Sequence, residues 1–230
     1  MAVEATSGSV PERLVDAAVK LLADHGPAAI KVRAVASACG LSTIVVYRHF
    51  GGVPELIRAV ADHGFTEIGR AFARVPVTDD PVMDLFAMAA TCRQVARANP
   101  HLYDLMFGLS TRATYRPAAD AGARLSGHSP AFRAAYAHVI GACERLVASG
   151  RISPGEPEVI AAQLWSFVHG YISLELADHF AEFDEPLTQV LLPMGVTFTV
   201  GLGDTPERAL ASHEEAMSRY GALMGESLPG

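Results

Sequence analysis

Cysteine is scarce in this chain of 230 residues, and its three cysteines match no structural pattern. Cys39, Cys92 and Cys143 lie about 50 residues apart, and none belongs to a Cys-x-x-Cys pair. This spacing argues against a zinc site and against a disulfide framework. We therefore expect three reduced core thiols, with a redox switch as the lesser alternative, and we expect no metal and no cofactor.

Long hydrophobic runs and a secretory leader are also missing. The longest apolar run, residues 190–202, contains Pro193 and two glycines, and it is shorter than the roughly 20 residues of a membrane-spanning helix. The first ten residues lack a basic start followed by an apolar stretch, so we expect a short disordered arm there. The sequence thus predicts a soluble, cytoplasmic protein without a membrane partner.

Motifs of common enzyme classes are absent from the sequence. It holds no Gly-x-Ser-x-Gly, no His-Glu-x-x-His, no phosphate-cradling glycine loop and no cysteine with a credible base partner. We therefore predict that the protein is not an enzyme. The alternative is an all-α enzyme that converts a small apolar substrate with His169 or His138 as the base.

Positive charge is sparse and unevenly distributed. Residues 1–75 contain eight Lys or Arg against seven Asp or Glu, whereas residues 76–230 contain ten against 18. A polyanion would be repelled by the acidic part, so contact with nucleic acid should be confined to the N-terminal part. Affinity there must depend on where each cation lies, because the local excess is a single charge.

Helical periodicity runs through the chain, and no credible strand pattern interrupts it. Residues 11–25 form an amphipathic helix that ends at Gly26-Pro27, and residues 54–75 form a long helix after Gly51-Gly52. The class is therefore all-α. Residues 117–125 fit a short helix or a loop equally well. Six further helices are predicted, each beginning at or just after a proline: 81–97, 100–107, 129–149, 157–181, 186–202 and 206–224.

Residues 32–50 carry the pattern of a helix-turn-helix. Gly40 follows the first short helix, where a left-handed cap is favoured, and Ser42 stands where its side chain could accept from the amides of the second helix. Val46 and Phe50 give the second helix a buried side. Its outward turns carry groups that can bond bases or phosphates: Thr43, Tyr47, Arg48 and His49.

This stretch resembles the signature of the TetR family of transcriptional regulators over about the first 75 residues. The usual lysine after the recognition helix is replaced by Val53, and the usual capping threonine of the preceding helix is replaced by Lys31, which could instead contact a phosphate. One alternative is therefore a reading head that has lost its function. The positions that carry the resemblance are Ala36, Gly40, Leu41, Ser42, Val46, Tyr47, His49, Phe50 and Leu56.

The resemblance implies a DNA-reading surface at the start of the second helix. Ile44 could pack on a thymine methyl group, although Ile44 and Val45 could instead belong to the small core. Arg48 could bind guanine or a phosphate, and these alternatives stay open. The predicted DNA-binding residues are Lys31, Arg33, Ser42, Thr43, Ile44, Val45, Tyr47, Arg48 and His49.

The C-terminal part contains Trp165-x-x-x-His169-Gly170, which resembles the Trp-x-x-x-His-Gly branch of TetR effector domains. The resemblance implies a domain that binds a ligand and dimerises, and it names no ligand. Large side chains at helical spacing are often plain core, so the alternative for His169 is a core histidine bonded to a carbonyl. The predicted ligand-binding residues are Phe86, Tyr103, Met106, Phe107, Phe132, Tyr136, Trp165 and His169.

Apolar residues make up half of the chain, more than one small core requires, which favours a cavity, a subunit interface or both. The helices over 157–181 and 186–202 should pack as a four-helix bundle in a homodimer. The predicted interface residues are Leu164, Val168, Leu174, Leu191, Met194, Phe198 and Leu202.

The predicted organisation is an arm at 1–10, a helix-turn-helix domain at 11–53, a connecting helix at 54–75 and a ligand-binding and dimerisation domain at 76–230. The expected function is a homodimeric repressor that binds double-stranded operator DNA. A small, mainly apolar effector would move the connecting helix and release the DNA.

Overall fold

The computed structural model describes residues 8–107 and 129–225, which form helices and contain no strand, as the sequence predicts. The predicted segment 117–125 lies outside the described residues. No helix in the described ranges is both long and apolar enough to cross a membrane. The ten α-helices are α1 (Val10–His25), α2 (Val32–Ala38), α3 (Thr43–Phe50), α4 (Val53–Phe72), α5 (Pro81–Ala98), α6 (Pro100–Phe107), α7 (Pro130–Ala148), α8 (Pro157–Leu176), α9 (Leu192–Gly201) and α10 (Pro206–Gly225).

The start of α1 is fixed by a reciprocal cap. The backbone amide of Glu12 donates to Ser9 Oγ, and the amide of Ser9 donates to Glu12 Oε2 at 2.7 Å. Two amides that the first turn leaves unsatisfied are thereby bonded. The helix begins at Val10, one residue before its predicted start, because Ser9 precedes Pro11 with the side chain that a cap requires.

Two predicted helices end early, and one is divided. α4 ends at Phe72, not at 75, and α8 ends at Leu176, not at 181, where Asp178 adopts a φ of 58°. The predicted helix at 186–202 begins with a π-helical turn, Leu187–Leu191, before α9. Pro193 has no amide to donate to the carbonyl four residues earlier, and a wider turn before it accommodates that loss.

The chain divides into two compact units. The first holds the described residues of Met1–Glu67 and Asn99–Arg133, and the second holds those of Ile68–Ala98 and Ala134–Gly230. α4 therefore passes from the first unit to the second after Glu67. The compact units do not test the predicted functional boundaries at residues 53 and 75, because the units are defined by contacts within the chain and not by function. Those boundaries therefore stay a prediction.

The first unit is built on α4. Phe65 is fully buried, and its ring lies edge-on to those of Phe107 and Phe132 at centroid distances of 5.7 and 5.2 Å. α6 lies so close to α4 at Gly64 that a Cβ atom there would collide with Sδ of Met106. α1 packs against α6 and α2 in the same unit.

The second unit surrounds α5, whose first ten residues are all buried. Ion pairs join α5 to other helices: Arg93 binds Glu175 of α8 at 2.6 Å, and Asp84 binds Arg145 of α7 at 2.7 Å. Arg151, in the connection before α8, pairs with Asp80 and Asp204 and donates to Ser212. These contacts link the starts of α5 and α10, which pack together.

Candidate functional site

The turn between α2 and α3 has the geometry that its glycine predicts. Gly40 adopts a φ of 66°, and the amide of Leu41 donates to the carbonyl of Ala36 at 2.9 Å. The amide of Gly40 donates to the carbonyl of Ser37 at 3.0 Å. These bonds satisfy the last carbonyls of α2 and turn the chain sharply into α3, which confirms the predicted helix-turn-helix.

Ser42 precedes α3 with an extended backbone, but its side chain makes no cap hydrogen bond. The prediction that Ser42 caps the α3 amides through its side chain is therefore wrong. Its hydroxyl is exposed and can turn outward. The first amides of α3, which no side chain caps in the described residues, can donate hydrogen bonds to an anion such as a phosphate.

α1 holds this turn in place. Arg13 Nη2 donates to the carbonyl of Cys39 at 3.2 Å, and Cys39 Sγ donates to the carbonyl of Arg13 at 3.3 Å. Val46 of α3 is fully buried. The two short helices are thus fixed by a core residue and by a bonded turn, which leaves the opposite side of α3 available.

The outward side of α3 is prominently exposed. Ile44 is 74% exposed and Tyr47 is 55% exposed, while Arg48 and His49 are also exposed. Ile44, Tyr47 and Arg48 are three and four residues apart, so they share one face of the helix. Ile44 is therefore not a core residue, whereas Val45 and the predicted base contact Thr43 are half-buried.

Lys31 and Arg33 lie at the start of α2, and both are exposed. Lys31 occupies the position before α2 and forms no side-chain cap there, as its chemistry predicts. Its ammonium group is then available for another acceptor. At the far end of α3, Gly51 ends the helix with a φ of 74°. Val53 begins α4 at the position where the family that the sequence resembles usually has a lysine.

Three of the predicted ligand-binding residues come together in the second unit. The ring of Trp165 lies 5.1 Å from Tyr136 and 4.1 Å from His169, measured between centroids. Trp165 and His169 border a small void of about 20 Å³. Its other neighbours are apolar apart from one thiol: Phe72, Met88, Ala89, Cys92, Val139, Leu164 and Val168.

Burial determines the protonation of the groups around this void. It lowers the pKa of His169 from 6.5 to about 3, so the imidazole is neutral at physiological pH. Burial also raises the pKa of the Cys92 thiol to about 12, which keeps it protonated. The void therefore offers neutral polar groups within an apolar wall.

Phe86 borders a second void of about 20 Å³, together with His213 of α10. The two rings lie 4.8 Å apart, and Ala89 and Leu164 border both voids. Burial lowers the pKa of His213, and the Ala209 carbonyl that its Nδ1 contacts at 2.7 Å opposes that shift. His213 was missed by sequence reasoning, although its spacing from Ala209 places both on one buried face of α10.

The other predicted ligand-binding residues belong to the first unit. Tyr103 and Met106 are buried, and Tyr103 contacts the ring of Phe107 at a centroid distance of 4.7 Å. Phe132 packs on Phe65 in the same unit. The eight predicted residues are thus shared equally between the two compact units.

The predicted dimer residues differ in exposure. Leu174 is 44% exposed and Met194 is 39% exposed, whereas Val168 and Leu191 are buried inside the second unit. Val168 lies beside the first void. Burial leaves Val168 and Leu191 little surface for a partner, and their place in an interface stays a prediction. The half-buried residues are Leu164, Phe198 and Leu202.

Two regions of the chain match models of one protein family. Residues 14–60 match the model described as bacterial regulatory proteins, tetR family. Residues 85–193 match the model described as tetracyclin repressor-like, C-terminal domain. The first region contains α2 and α3, and the second contains Ala89 and Leu164, which border both voids.

Curated relatives share part of this chain. The HTH-type transcriptional repressor Rv3405c of Mycobacterium tuberculosis is 38% identical over 61 residues, which cover 26% of this chain and 32% of that protein. The HTH-type transcriptional regulator Rv1816 of the same species is 26% identical over 111 residues, or 47% of each chain. The chain therefore spans about a third to a half of the length of these relatives.

Solved structures resemble the fold over nearly the whole chain. A protein of unknown function from Rhodococcus sp. RHA1 has a TM-score of 0.71 at 23% identity, covering 88% of this chain and all of that one. RolR in complex with the ligand resorcinol has a TM-score of 0.64 at 14% identity, covering 96% and 95%. A possible TetR family regulator from Streptomyces coelicolor has a TM-score of 0.54 at 16% identity, covering 93% and 99%. These likenesses concern the fold.

Proposed function

This chain belongs to the TetR family of bacterial regulatory proteins, and from that premise we propose that it is a homodimeric repressor released from operator DNA by a small molecule. The observation that carries the proposal is the outward face of α3. An isoleucine that is 74% exposed lies there beside exposed Tyr47 and Arg48. The isoleucine gains by leaving water, and the apolar and hydrogen-bonding groups together fit the edge of a base pair.

In this proposal α3 enters the major groove. Ile44 packs on a thymine methyl group, while Thr43 and Arg48 bond base edges or phosphates. Lys31, Arg33, Ser42, Tyr47 and His49 hold the phosphate backbone, with Val45 at the margin of the contact. An uncapped helix start supplies amide donors to the same phosphates, which matters because the first 75 residues have so little net positive charge.

DNA binding is tested with duplexes selected from a random pool by the wild-type protein. The Tyr47→Phe, Arg48→Ala double variant should bind the selected duplex at least about tenfold more weakly, and its affinity should depend less steeply on salt. Arg219→Ala removes the same charge from an exposed position on α10 and should leave the affinity unchanged. Equal binding by the double variant would support a reading head without function.

We place the dimer interface on the exposed faces of α8 and α9. On α8 the exposed residues Ala162, Ser166 and Gly170 recur every four positions, so a partner helix can approach closely there. Leu174 continues this face, and Met194 lies on the exposed side of α9. Two copies of the face would form the four-helix bundle that the sequence predicts.

The effector proposed for the voids of the second unit is a small, neutral, mainly apolar molecule. Neither void is bordered by a carboxylate, a lysine or an arginine, and burial keeps His169 neutral. A charged ligand would lose its hydration without gaining a counter-charge. RolR, which has a similar fold, was crystallised with resorcinol, a ligand of this chemical kind.

The size of the voids suggests how the signal could arise. Each void holds about 20 Å³, which is enough for a water molecule and too small for an effector. An effector would therefore bind only a widened state of the second unit. Phe72 borders the first void in the last turn of α4, and the same helix starts three residues after α3 ends. Widening would thus move α4 and, with it, the reading head.

This mechanism needs only a modest preference for the widened state. An effector that binds it 100-fold more tightly shifts the equilibrium by about 2.7 kcal/mol per site, and two sites in a dimer double that shift. Thermal shifts with neutral phenols and their carboxylate analogues test the ligand class. Stabilisation by the carboxylates and not by the phenols would contradict it.

The enzyme alternative finds less support in the site. His169 is neutral but lies in an apolar void, and His138 is exposed on α7 with its ring near Phe72. We therefore propose a regulator without catalytic activity, acting in the cytoplasm where its operator would lie. The motif Trp165-x-x-x-His169-Gly170 remains the basis for assigning the second unit to the Trp-x-x-x-His-Gly branch.

A further inference from the structure

A separate pocket lies where the connection between α8 and the π-helical turn folds beside the end of α5. It has a volume of about 600 Å³, and it shares no lining residue with the two interior voids. We call it the α8–α9 pocket. Its polar lining residues are Arg93, Arg97, Glu175, Asp178, Asp184, Glu185 and Thr188, and its apolar lining residues are Leu176, Phe180, Ala181, Phe183, Pro186, Leu187 and Met217.

A neutralised ion pair forms one wall of the α8–α9 pocket. Arg93 donates from Nε and Nη2 to the carboxylate of Glu175 at 2.6 to 2.9 Å, and the hydroxyl of Tyr171 donates to the same carboxylate at 3.1 Å. Both charged side chains are nearly buried. Because this pair is satisfied, the charge that a ligand would meet comes from the other lining residues.

Those other residues leave the pocket negative. Asp178, Asp184 and Glu185 carry three negative charges against the single positive charge of Arg97. Among the described residues, Asp178, Asp184 and Arg97 form no ion pair, and Glu185 accepts a 3.3 Å hydrogen bond from Thr188. α8 ends beside the pocket at Leu176, so its terminal carbonyls add partial negative charge.

Aromatic rings also line the pocket. Phe180 stacks on Tyr171 at 5.2 Å, and Phe183 lies edge-on to Phe180 at 6.1 Å. Phe183 is 42% exposed, although a phenyl ring of this size is normally buried. The negative faces of such rings attract cations, most strongly those with weak hydration.

We propose that the α8–α9 pocket binds an organic cation, namely an amine or quaternary ammonium group carried on an apolar body. The carboxylates supply the counter-charge, and the rings and the aliphatic wall hold the body. A metal ion is a poorer occupant, because no group of three or more potential metal ligands comes together in the described part of the chain. This inference is independent of the proposed DNA binding and concerns a different ligand from the neutral effector.

Calorimetric titration of the full chain with benzyltrimethylammonium tests the proposal. Benzyl alcohol and phenylacetate serve as the neutral and anionic comparisons at the same low salt concentration. We expect the cation to bind measurably, and the other two to bind at least about fivefold more weakly. Equal or tighter binding of phenylacetate, or no binding of the cation, would overturn the proposal.

Variants locate the site and give effects of opposite sign. The Asp178→Asn, Asp184→Asn double change should weaken cation binding about fivefold or more, and asparagine tolerates the left-handed backbone at Asp178. Arg97→Gln should tighten binding about twofold, because it removes the one repelling charge. Phe183→Leu keeps an apolar side chain but removes the ring, so it should weaken binding about threefold.

Glu182→Gln is the matched control, because Glu182 is exposed in the same connection and does not line the pocket. It should change the affinity by less than about twofold. Thermal unfolding of every variant checks that the fold is kept. Weaker cation binding in Arg97→Gln, or wild-type affinity in both the double aspartate variant and Phe183→Leu, would refute the site.

Discussion

Replacing His169 with glutamine should change how stability depends on pH. Burial lowers the pKa of this imidazole from 6.5 to about 3 in the folded chain, whereas the unfolded chain keeps the ordinary value. Below pH 6.5 the unfolded state therefore binds a proton that the folded state does not. The stability associated with a neutral His169 is complete above pH 6.5 and is lost as the pH falls towards 3.

The size of the effect follows from the two pKa values. Between pH 7 and pH 5 the buried imidazole should lower the free energy of unfolding by about 2 kcal/mol, and each further pH unit should remove about 1.4 kcal/mol until the pH nears 3. Glutamine does not titrate. The His169→Gln variant should therefore lose about 2 kcal/mol less than the wild type over the same interval.

Urea unfolding at fixed protein concentration measures this difference, since the stability of the proposed dimer would depend on concentration. His179→Gln is the control, because His179 is exposed in the connection after α8. Carboxylates that titrate in both proteins cancel in the comparison. Parallel curves for the wild type and His169→Gln between pH 7 and pH 5 would refute the conclusion that the site keeps its imidazole neutral.

Three further changes test the turn, the second unit and the dimer. Gly40→Ala should lower the free energy of unfolding by about 1 to 2 kcal/mol, because φ at Gly40 is 66°. The control Gly141→Ala lies inside α7, where an added Cβ atom also meets open space, and it should raise the free energy of unfolding by about 0.5 kcal/mol. Urea unfolding measures both variants, and equal effects would contradict the argument from the backbone angle. Glu175→Gln leaves the nearly buried Arg93 without its counter-charge, so thermal unfolding should show a loss of about 3 kcal/mol, and a loss below about 1 kcal/mol would contradict it. Leu174→Lys places a charge on the proposed interface and should yield monomers in sedimentation analysis, where an unchanged dimer would exclude this face.

Local signals in the sequence predict much of the fold. Prolines mark the starts of α5, α6, α7, α8 and α10 because a missing amide is harmless in a first turn. Gly40 marks the turn before α3, since few other residues accept its backbone angle. The exposed side of α3 follows from the spacing of Val46 and Phe50, which leaves Tyr47 and Arg48 outward. The exposure of Ile44 does not follow from that spacing, because the sequence alone also allows Ile44 a place in the small core.

Features that depend on distant contacts could not be predicted. α8 ends before Asp178, which adopts a left-handed conformation without a glycine to signal it. Arg93 and Glu175 are separated by 82 residues, so no local pattern pairs them. Leu191 was predicted as an interface residue but is fully buried. In a helix that is apolar on all sides, sequence periodicity cannot distinguish the side that packs in the core from the side that faces a partner.

The most direct test of the central claim is selection of duplexes from a random DNA pool by the purified chain, followed by footprinting of the enriched sequence. The account predicts an inverted repeat whose half-sites are centred about 34 to 36 Å apart or a multiple of that distance. Protection should disappear when Ile44, Tyr47 and Arg48 are replaced together. Failure to enrich any sequence, or an undiminished footprint from the triple variant, would contradict the account.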